Sequence, residues 1–226
     1  AKRGQRAFDA FTSGSSGSSP KTVQHTVSSP GANVAVYAII LSDAGDTVTG
    51  ATYDGNAMTQ RAKDTGLYVY EWIGTAGSGA KNVTVSSSSG TLYLSVISFT
   101  SVSAFDASGN GSDFGTTPLS FPVTTVADAC FAVAAFYDGG QSSTPTAGSL
   151  TTKAGANGDY GGVATFYSTA SLGTPGSKNL AANVATGGTN QWAIVSFSPA
   201  ATGRTTKNTL ASPLGVEIGM NWRGGL

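Results

Sequence analysis

The sequence predicts an all-β fold, an antiparallel β-sandwich built from two pseudo-repeated halves, with little or no helix. Short runs rich in β-branched and aromatic residues recur along the chain and are separated by turns that contain Gly, Pro, Asn or Asp. No segment keeps a 3.6-residue apolar period, which argues against helices. Residues 91–100 and 191–198 both pass through a Ser-Phe pair and have the composition of buried central strands.

The features that precede these two runs also recur, at an offset of roughly 95–98 residues. Lys81-Asn82 recurs as Lys178-Asn179, and the apolar run 33–43 has its counterpart in residues 129–138. Two copies are too few for a solenoid. They predict two halves of a single sandwich domain over residues 23–200, with the halves at about 23–102 and 119–200.

Each run of this kind is predicted to be one strand, bounded by turn residues such as those of Asp54-Gly55-Asn56. The run 33–42 is apolar at consecutive positions and is expected to be buried on both faces. Residues 103–118 are rich in Gly and Ser and are predicted to be a polar connection. The predicted strands are 23–29, 33–42, 47–53, 57–63, 67–73, 81–86, 91–100, 119–125, 129–137, 150–153, 162–168, 179–184 and 191–198.

Residues 1–22 are predicted to form a flexible N-terminal arm. Their Ser-Gly-Ser-Ser-Gly-Ser-Ser run has the composition of a tether. Two interpretations stay open: a disordered end, or an arm whose Phe8 and Phe11 dock on a neighbouring molecule.

Residues 201–226 are predicted to form a C-terminal arm that contains an amphipathic strand. Large apolar side chains occupy every second position there, which gives a strand one apolar face. The strand can pack on its own sheet as an edge strand, or it can add to a sheet of a neighbouring subunit. The five residues of this face are Leu214, Val216, Ile218, Met220 and Trp222.

The composition limits the kinds of partner. Only 11% of the 226 residues are charged and the formal net charge is zero, so the surface must consist mostly of Ser, Thr, Asn, Gln and Gly. Such a surface does not suit nucleic acid, and no segment is long and apolar enough for a membrane span. The single cysteine, Cys130, is expected to be buried. The basic start has no apolar stretch behind it, so synthesis in the cytoplasm is expected.

The residues that could carry chemistry are few and scattered, so we predict no enzyme, no catalytic residue, no cofactor and no metal site. His25 is the only histidine, and no Ser/His/Asp or Cys/His arrangement surrounds it in the sequence. Glu71, expected on an outer face, could form a glycosidase-like acid pair only with Asp54 or Asp64. The run 106–113 begins like a calcium loop but has Thr117 where the bidentate Glu belongs.

Three stretches resemble a known class of domain: Thr52-Tyr53-Asp54-Gly55-Asn56-Ala57-Met58, Tyr68–Trp72 and Trp192–Ala200. Over residues 23–200 the chain is similar to the jelly-roll-like β-sandwich domains of bacteriophage structural proteins, which also occur in bacterial surface proteins. The resemblance implies a virion component, such as a capsid decoration, neck, tail or fibre protein.

We therefore expect a non-enzymatic structural protein of a virion that assembles with itself and other virion proteins through its arms. The predicted assembly interface comprises Phe8, Phe11 and the apolar face of residues 214–222. The alternative is a carbohydrate-binding or adhesion module that recognises surface glycans. Its sugar-stacking face would be drawn from Tyr68, Tyr70, Trp72, Tyr93 and Trp192.

Overall fold

A computed structural model describes residues 8–42, 46–88, 90–114, 117–139, 144–157, 163–183 and 188–200. These residues form β-strands, and no helix capable of spanning a lipid bilayer occurs among them. The all-β prediction is confirmed. In chain order the strands are β1 Phe8–Ser18, β2 Lys21–Thr26, β3 Gly31–Ser42, β4 Val48–Tyr53, β5 Asn56–Ala57, β6 Thr59–Asp64, β7 Leu67–Ala76, β8 Ala80–Ser87, β9 Thr91–Phe99, β10 Val102–Phe114, β11 Leu119–Thr125, β12 Phe131–Tyr137, β13 Thr146–Ala147, β14 Thr151–Ala156, β15 Val163–Ser168, β16 Gly176–Asn183 and β17 Thr189–Pro199.

The strands form four antiparallel sheets, two for each sequence repeat. In the first repeat, sheet A has the order β1-β9-β3-β7-β6 and sheet B the order β2-β8-β4-β5. In the second, sheet C has the order β10-β17-β12-β15-β14 and sheet D the order β11-β16-β13. The two sets match strand for strand, except that the two-residue strand β5 of sheet B has no counterpart in sheet D. Each repeat therefore contributes two sheets that pack on each other.

The two sandwiches pack with their five-stranded sheets face to face, which gives the layer order B-A-C-D. Strand β3 explains why: Val36 and Ile40 point into the core between sheets A and B, whereas Tyr37 and Ile39 point into a middle core shared with sheet C. A strand that is apolar on both faces needs a layer on each side. A third core, around Phe121, lies between sheets C and D.

Two segments differ from their sequence prediction, and they are equivalent to each other. Residues 8–18, expected in a flexible arm, form β1 and pair with β9. Residues 102–114, expected to be mostly a polar connection, form β10 and pair with β17. Both strands begin near a Phe-Asp-Ala sequence, at 8–10 and 105–107. The repeat thus starts earlier than the halves 23–102 and 119–200.

The glycines of these strands reflect close packing. A Cβ atom at Gly14 would collide with the carbonyl oxygen of Leu94 in the neighbouring strand. A Cβ atom at Gly111 would lie 2.7 Å from Cζ2 of Trp192, closer than real contacts allow. The glycines that suggest a flexible tether in the sequence are needed here because the edge strands β1 and β10 pack closely against neighbouring groups.

We expect Phe197→Ala to lower the free energy of unfolding by about 3–5 kcal/mol, because it opens a cavity in the middle core. Phe197 is fully buried, with ring centroids 5.1 Å from Phe99 and 5.3 Å from Tyr37. Phe114→Ala is the matched control, since that ring is 72% exposed, and should change stability by less than about 0.5 kcal/mol. Urea unfolding measures both, and equal effects would contradict the four-layer packing.

Candidate functional site

The only histidine lies in a buried polar cluster at one edge of the first core. His25, in β2, has no exposed surface. Its Nδ1 atom is 2.8 Å from the hydroxyl of Thr12 in β1, and its Nε2 atom is 2.9 Å from the hydroxyl of Ser98 in β9. The fold therefore brings together a serine and a histidine that lie 73 residues apart in the sequence.

The direction of the hydrogen bonds is wrong for nucleophilic catalysis. The Ser98 hydroxyl donates its single proton to Oδ2 of Asp9 at 2.8 Å, so Nε2 of His25 must donate to Ser98. A catalytic base has to accept the proton of its nucleophile. Burial also lowers the pKa of His25 to about 4, although the nearby Asp9 carboxylate acts in the opposite direction. In the folded chain the cluster fills space at the edge of the core and provides hydrogen-bond partners for its own buried polar side chains.

The second sandwich repeats this cluster without a histidine. The Ser196 hydroxyl donates to Oδ2 of Asp106 at 2.8 Å, as Ser98 does to Asp9. Val123 occupies the position of His25, since Val123 pairs with Lys178 as His25 pairs with Lys81. We call the pairs Asp9–Ser98 and Asp106–Ser196 the Asp–Ser clasps. Because the second clasp forms without a histidine, the imidazole is not needed to build it.

Each clasp fixes the chain just after the second strand of its sandwich. Asp9 accepts backbone N–H groups of Ser28 and Ser29 at 2.9 and 2.8 Å. Asp106 accepts those of Val126 and Ala127 at 3.1 and 2.7 Å. Burial raises the pKa of Asp106, but hydrogen bonds from Ser196, Ala127 and Val126 outweigh it and hold the pKa below its usual range.

The calcium-like run 106–113 is part of strand β10 rather than a loop. Alternate side chains of a strand point to opposite faces, so the run cannot wrap around one ion. The carboxylate of Asp106 is engaged in its clasp, and Asp113 accepts the N–H of Phe114 at 2.7 Å. No group of three or more His, Cys, Asp or Glu side chains suited to a metal occurs in the described ranges.

Glu71 corrects a sequence prediction, because it is 2% exposed instead of lying on an outer face. Its Oε2 atom is 2.6 Å from Nε of Arg61, and its Oε1 atom accepts the Tyr37 hydroxyl at 2.8 Å. The Arg61 guanidinium also lies 4.4 Å from the ring centroid of Phe105 in sheet C. The ion pair therefore joins the two sandwiches.

Neither acid proposed as a partner for Glu71 is placed beside it. Asp54 pairs with Lys81 at 3.0 Å and lies at the end of β4, in sheet B. Asp64 is opposite Leu67 in the β6–β7 ladder, about 13 Å along the strand from Glu71. Burial raises the pKa of Asp64. The two carboxylates that a glycosidase requires are thus not assembled from these residues.

The aromatic residues considered for sugar stacking are core residues. Tyr68, Tyr70 and Trp192 are at most 8% exposed. Trp72 packs on Tyr53 with ring centroids 4.7 Å apart, and Tyr93 packs against the middle core. Cys130 is buried, as expected. In the described part of the chain the large exposed apolar side chains are Phe8, Phe114, Val126 and Leu150.

Phe8 and Phe11, proposed as anchors on a neighbour, have partners in their own chain. The Phe8 ring stacks on Tyr167 with centroids 5.0 Å apart. Phe11 packs against the middle core at a place where Gly155 leaves room for its ring. Both rings join the two sandwiches. The remaining residues of the predicted interface, 214–222, lie outside the described residues.

No family model matches this chain. No curated protein and no solved structure matches it either. The resemblance to bacteriophage sandwich domains rests on the three stretches quoted above. The positions at which the two sandwiches differ are therefore the candidates for a functional role.

We expect His25→Val to reduce the acid sensitivity of the fold. The folded-state pKa of about 4 is below the ordinary value of 6.5, so unfolding takes up a proton between these values. The stabilisation is complete above pH 6.5 and is lost as the pH falls toward 4; by pH 4.5 the loss should be about 2–3 kcal/mol. Urea unfolding at pH 7 and pH 4.5 compares the two proteins, and valine is chosen because Val123 fills the equivalent position. Equal losses in both would contradict the expectation.

We expect Arg61→Met to lower the free energy of unfolding by about 2–4 kcal/mol, because it leaves the buried Glu71 carboxylate without its cation. Glu71→Gln keeps a partner for Tyr37 and should cost less, about 1–2 kcal/mol. Lys81→Met removes an ion pair whose Asp54 partner is 51% exposed and should cost at most about 1 kcal/mol. Chemical denaturation of the three variants tests this order; an Arg61 effect no larger than the Lys81 effect would refute it.

Proposed function

We propose that this chain is a non-enzymatic structural protein that assembles with copies of itself and with other proteins through its C-terminal segment. One observation supports this proposal above the others. In the described part of the chain Phe8 and Phe11 pack within the molecule, whereas the segment 214–222 has large apolar side chains at every second position. A strand of that pattern needs an apolar surface to cover one of its faces.

The point of departure of the tail agrees with this role. Strand β17 ends at Pro199, and the N–H of Ala200 donates to the carbonyl of Ser101 at 2.8 Å. Strand β17 thus ends beside the start of β10, the edge strand of sheet C. A following strand of alternating character can add to a sheet edge of a neighbouring molecule, where backbone hydrogen bonds give affinity and alternate side chains fill pockets.

The energy available for such an association is sufficient. Burying Leu214, Val216, Ile218, Met220 and Trp222 contributes on the order of 5–10 kcal/mol before ordering costs. The low charge of the chain also limits repulsion between copies. The setting that we propose is a virion, with synthesis in the host cytoplasm. This part of the proposal depends on the resemblance to bacteriophage structural domains.

A second candidate is a carbohydrate-binding or adhesion module. Its support is the outer face of sheet B, where Thr22 and Thr84 share a hydrogen bond of 2.9 Å across the β2–β8 ladder and Gln24 lies opposite Asn82. Hydroxyl and amide groups of this kind suit neutral glycans. Of the aromatic residues that would stack on sugars, Tyr68, Tyr70 and Trp192 are buried and Trp72 and Tyr93 are partly buried, which makes this candidate the weaker one.

We expect the full chain to form defined oligomers or filaments, and a chain that ends at Ala201 to remain a folded monomer. Light scattering gives the mass of each, and circular dichroism confirms the fold. The paired substitution Val216→Asp with Ile218→Asp should also yield monomers, because it places charges on the apolar face. Glu217→Gln alters the opposite face and is the matched control.

Two outcomes would contradict this proposal. If the full and shortened chains are monomers of equal thermal stability, the segment does not drive self-assembly, and a glycan array becomes the decisive experiment for the second candidate. If the shortened chain unfolds, the segment belongs to a sheet of its own chain.

A further inference from the structure

A cavity of about 400 Å³ opens on the second sandwich. Its walls come from the turn before β14, the loop between β15 and β16, and one residue of β16. This volume lies within the range of pockets that hold small ligands. The lining residues are Leu150, Thr169, Ala170, Ser171, Leu172 and Lys178. None of them belongs to the clasps or to the predicted assembly interface.

Lys178 differs from its counterpart in the first sandwich. Lys81 and Lys178 occupy equivalent ladder positions, opposite His25 and Val123. The Lys81 ammonium forms an ion pair with Asp54 at 3.0 Å. Lys178 forms no ion pair or hydrogen bond within the described part of the chain. The lysine at this position is therefore paired with a carboxylate in the first sandwich. In the second sandwich it lines the cavity and has no such partner within the described residues.

Leu150 supplies the second distinctive feature of the cavity. Its φ angle is 60°, a left-handed conformation that a bulky side chain adopts at a cost, and the residue is 54% exposed. The N–H of Thr169 donates to the carbonyl of Leu150 at 3.0 Å and fixes the two walls relative to each other. The turn therefore holds an apolar side chain at the mouth of a preformed cavity.

We propose that this cavity binds a small amphiphilic carboxylate. The Lys178 ammonium pairs with the carboxylate, and the side chains of Leu150 and Leu172 cover the apolar body of the ligand. A neutral ligand would leave the cation without a partner. A phosphate dianion would retain an uncompensated charge beside apolar walls, which is unfavourable. One cation with an apolar lining therefore matches a single carboxylate.

The test is a titration of the isotope-labelled full chain with octanoate, followed by ¹H–¹⁵N NMR. We expect saturable shifts in the amide signals of residues 169–172 and 178. Acetate has the charge without the apolar body, and 1-octanol has the apolar body without the charge. Each should bind about tenfold more weakly than octanoate, or weaker still. Equal affinity for octanoate and 1-octanol would refute the role of Lys178.

Variants separate this site from general surface binding. Lys178→Met keeps the aliphatic stem, and should weaken octanoate about tenfold. Lys81→Met is the matched control and should leave the affinity unchanged. Leu150→Gly accepts the left-handed turn, removes the apolar side chain, and should weaken binding several-fold. The proposal is overturned if octanoate gives no saturable shifts at millimolar concentration, if the shifts lie elsewhere, or if the two lysine variants bind alike.

Discussion

The contact between the two five-stranded sheets constrains every other layer of this protein. Tyr37, Phe99 and Phe197 pack against one another in the middle core, with ring centroids 5.1–6.0 Å apart. Because the strands on either side of this core are also apolar on their other face, each five-stranded sheet needs a second sheet to cover it. Sheets B and D meet that need, and they leave hydroxyl and amide side chains on the outside.

The pseudo-symmetry of the chain separates structural features from functional ones. The Asp–Ser clasps occur in both sandwiches, so they serve the common fold. The pair Tyr37–Glu71 has Val133–Tyr167 as its counterpart, since Tyr37 lies opposite Ile97 and Val133 opposite Val195, so the carboxylate that binds Arg61 occurs in one of the two facing sheets only. Close packing between two facing sheets requires such differences. A feature present in one sandwich alone, with no packing role, is a better candidate for function.

The sequence predicts the all-β class and both buried faces of β3, because strand periodicity is a local property. Strands β1 and β10 were not predicted from the sequence. Their glycines are required by close contacts with groups that are distant in sequence, such as the Leu94 carbonyl beside Gly14. The Phe-Asp-Ala sequences at 8–10 and 105–107 are the pattern that identifies both strands. The environment of Glu71 could not be predicted from the sequence either. The cation that neutralises it, Arg61, lies over the ring of Phe105 in the other sandwich.

The differences between the sandwiches are unevenly distributed. In the first one His25 and Lys81 are paired internally, His25 with Ser98 and Lys81 with Asp54. In the second one the equivalent positions hold Val123 and a lysine, Lys178, that faces a cavity. The C-terminal segment also follows, in the sequence, the last strand of the second sandwich, β17. Both copies of the duplicated fold contribute side chains to the middle core. Binding to a ligand or partner requires the surface of one copy only. We therefore expect the first sandwich to act as support and the second to carry the contacts with ligand and partner.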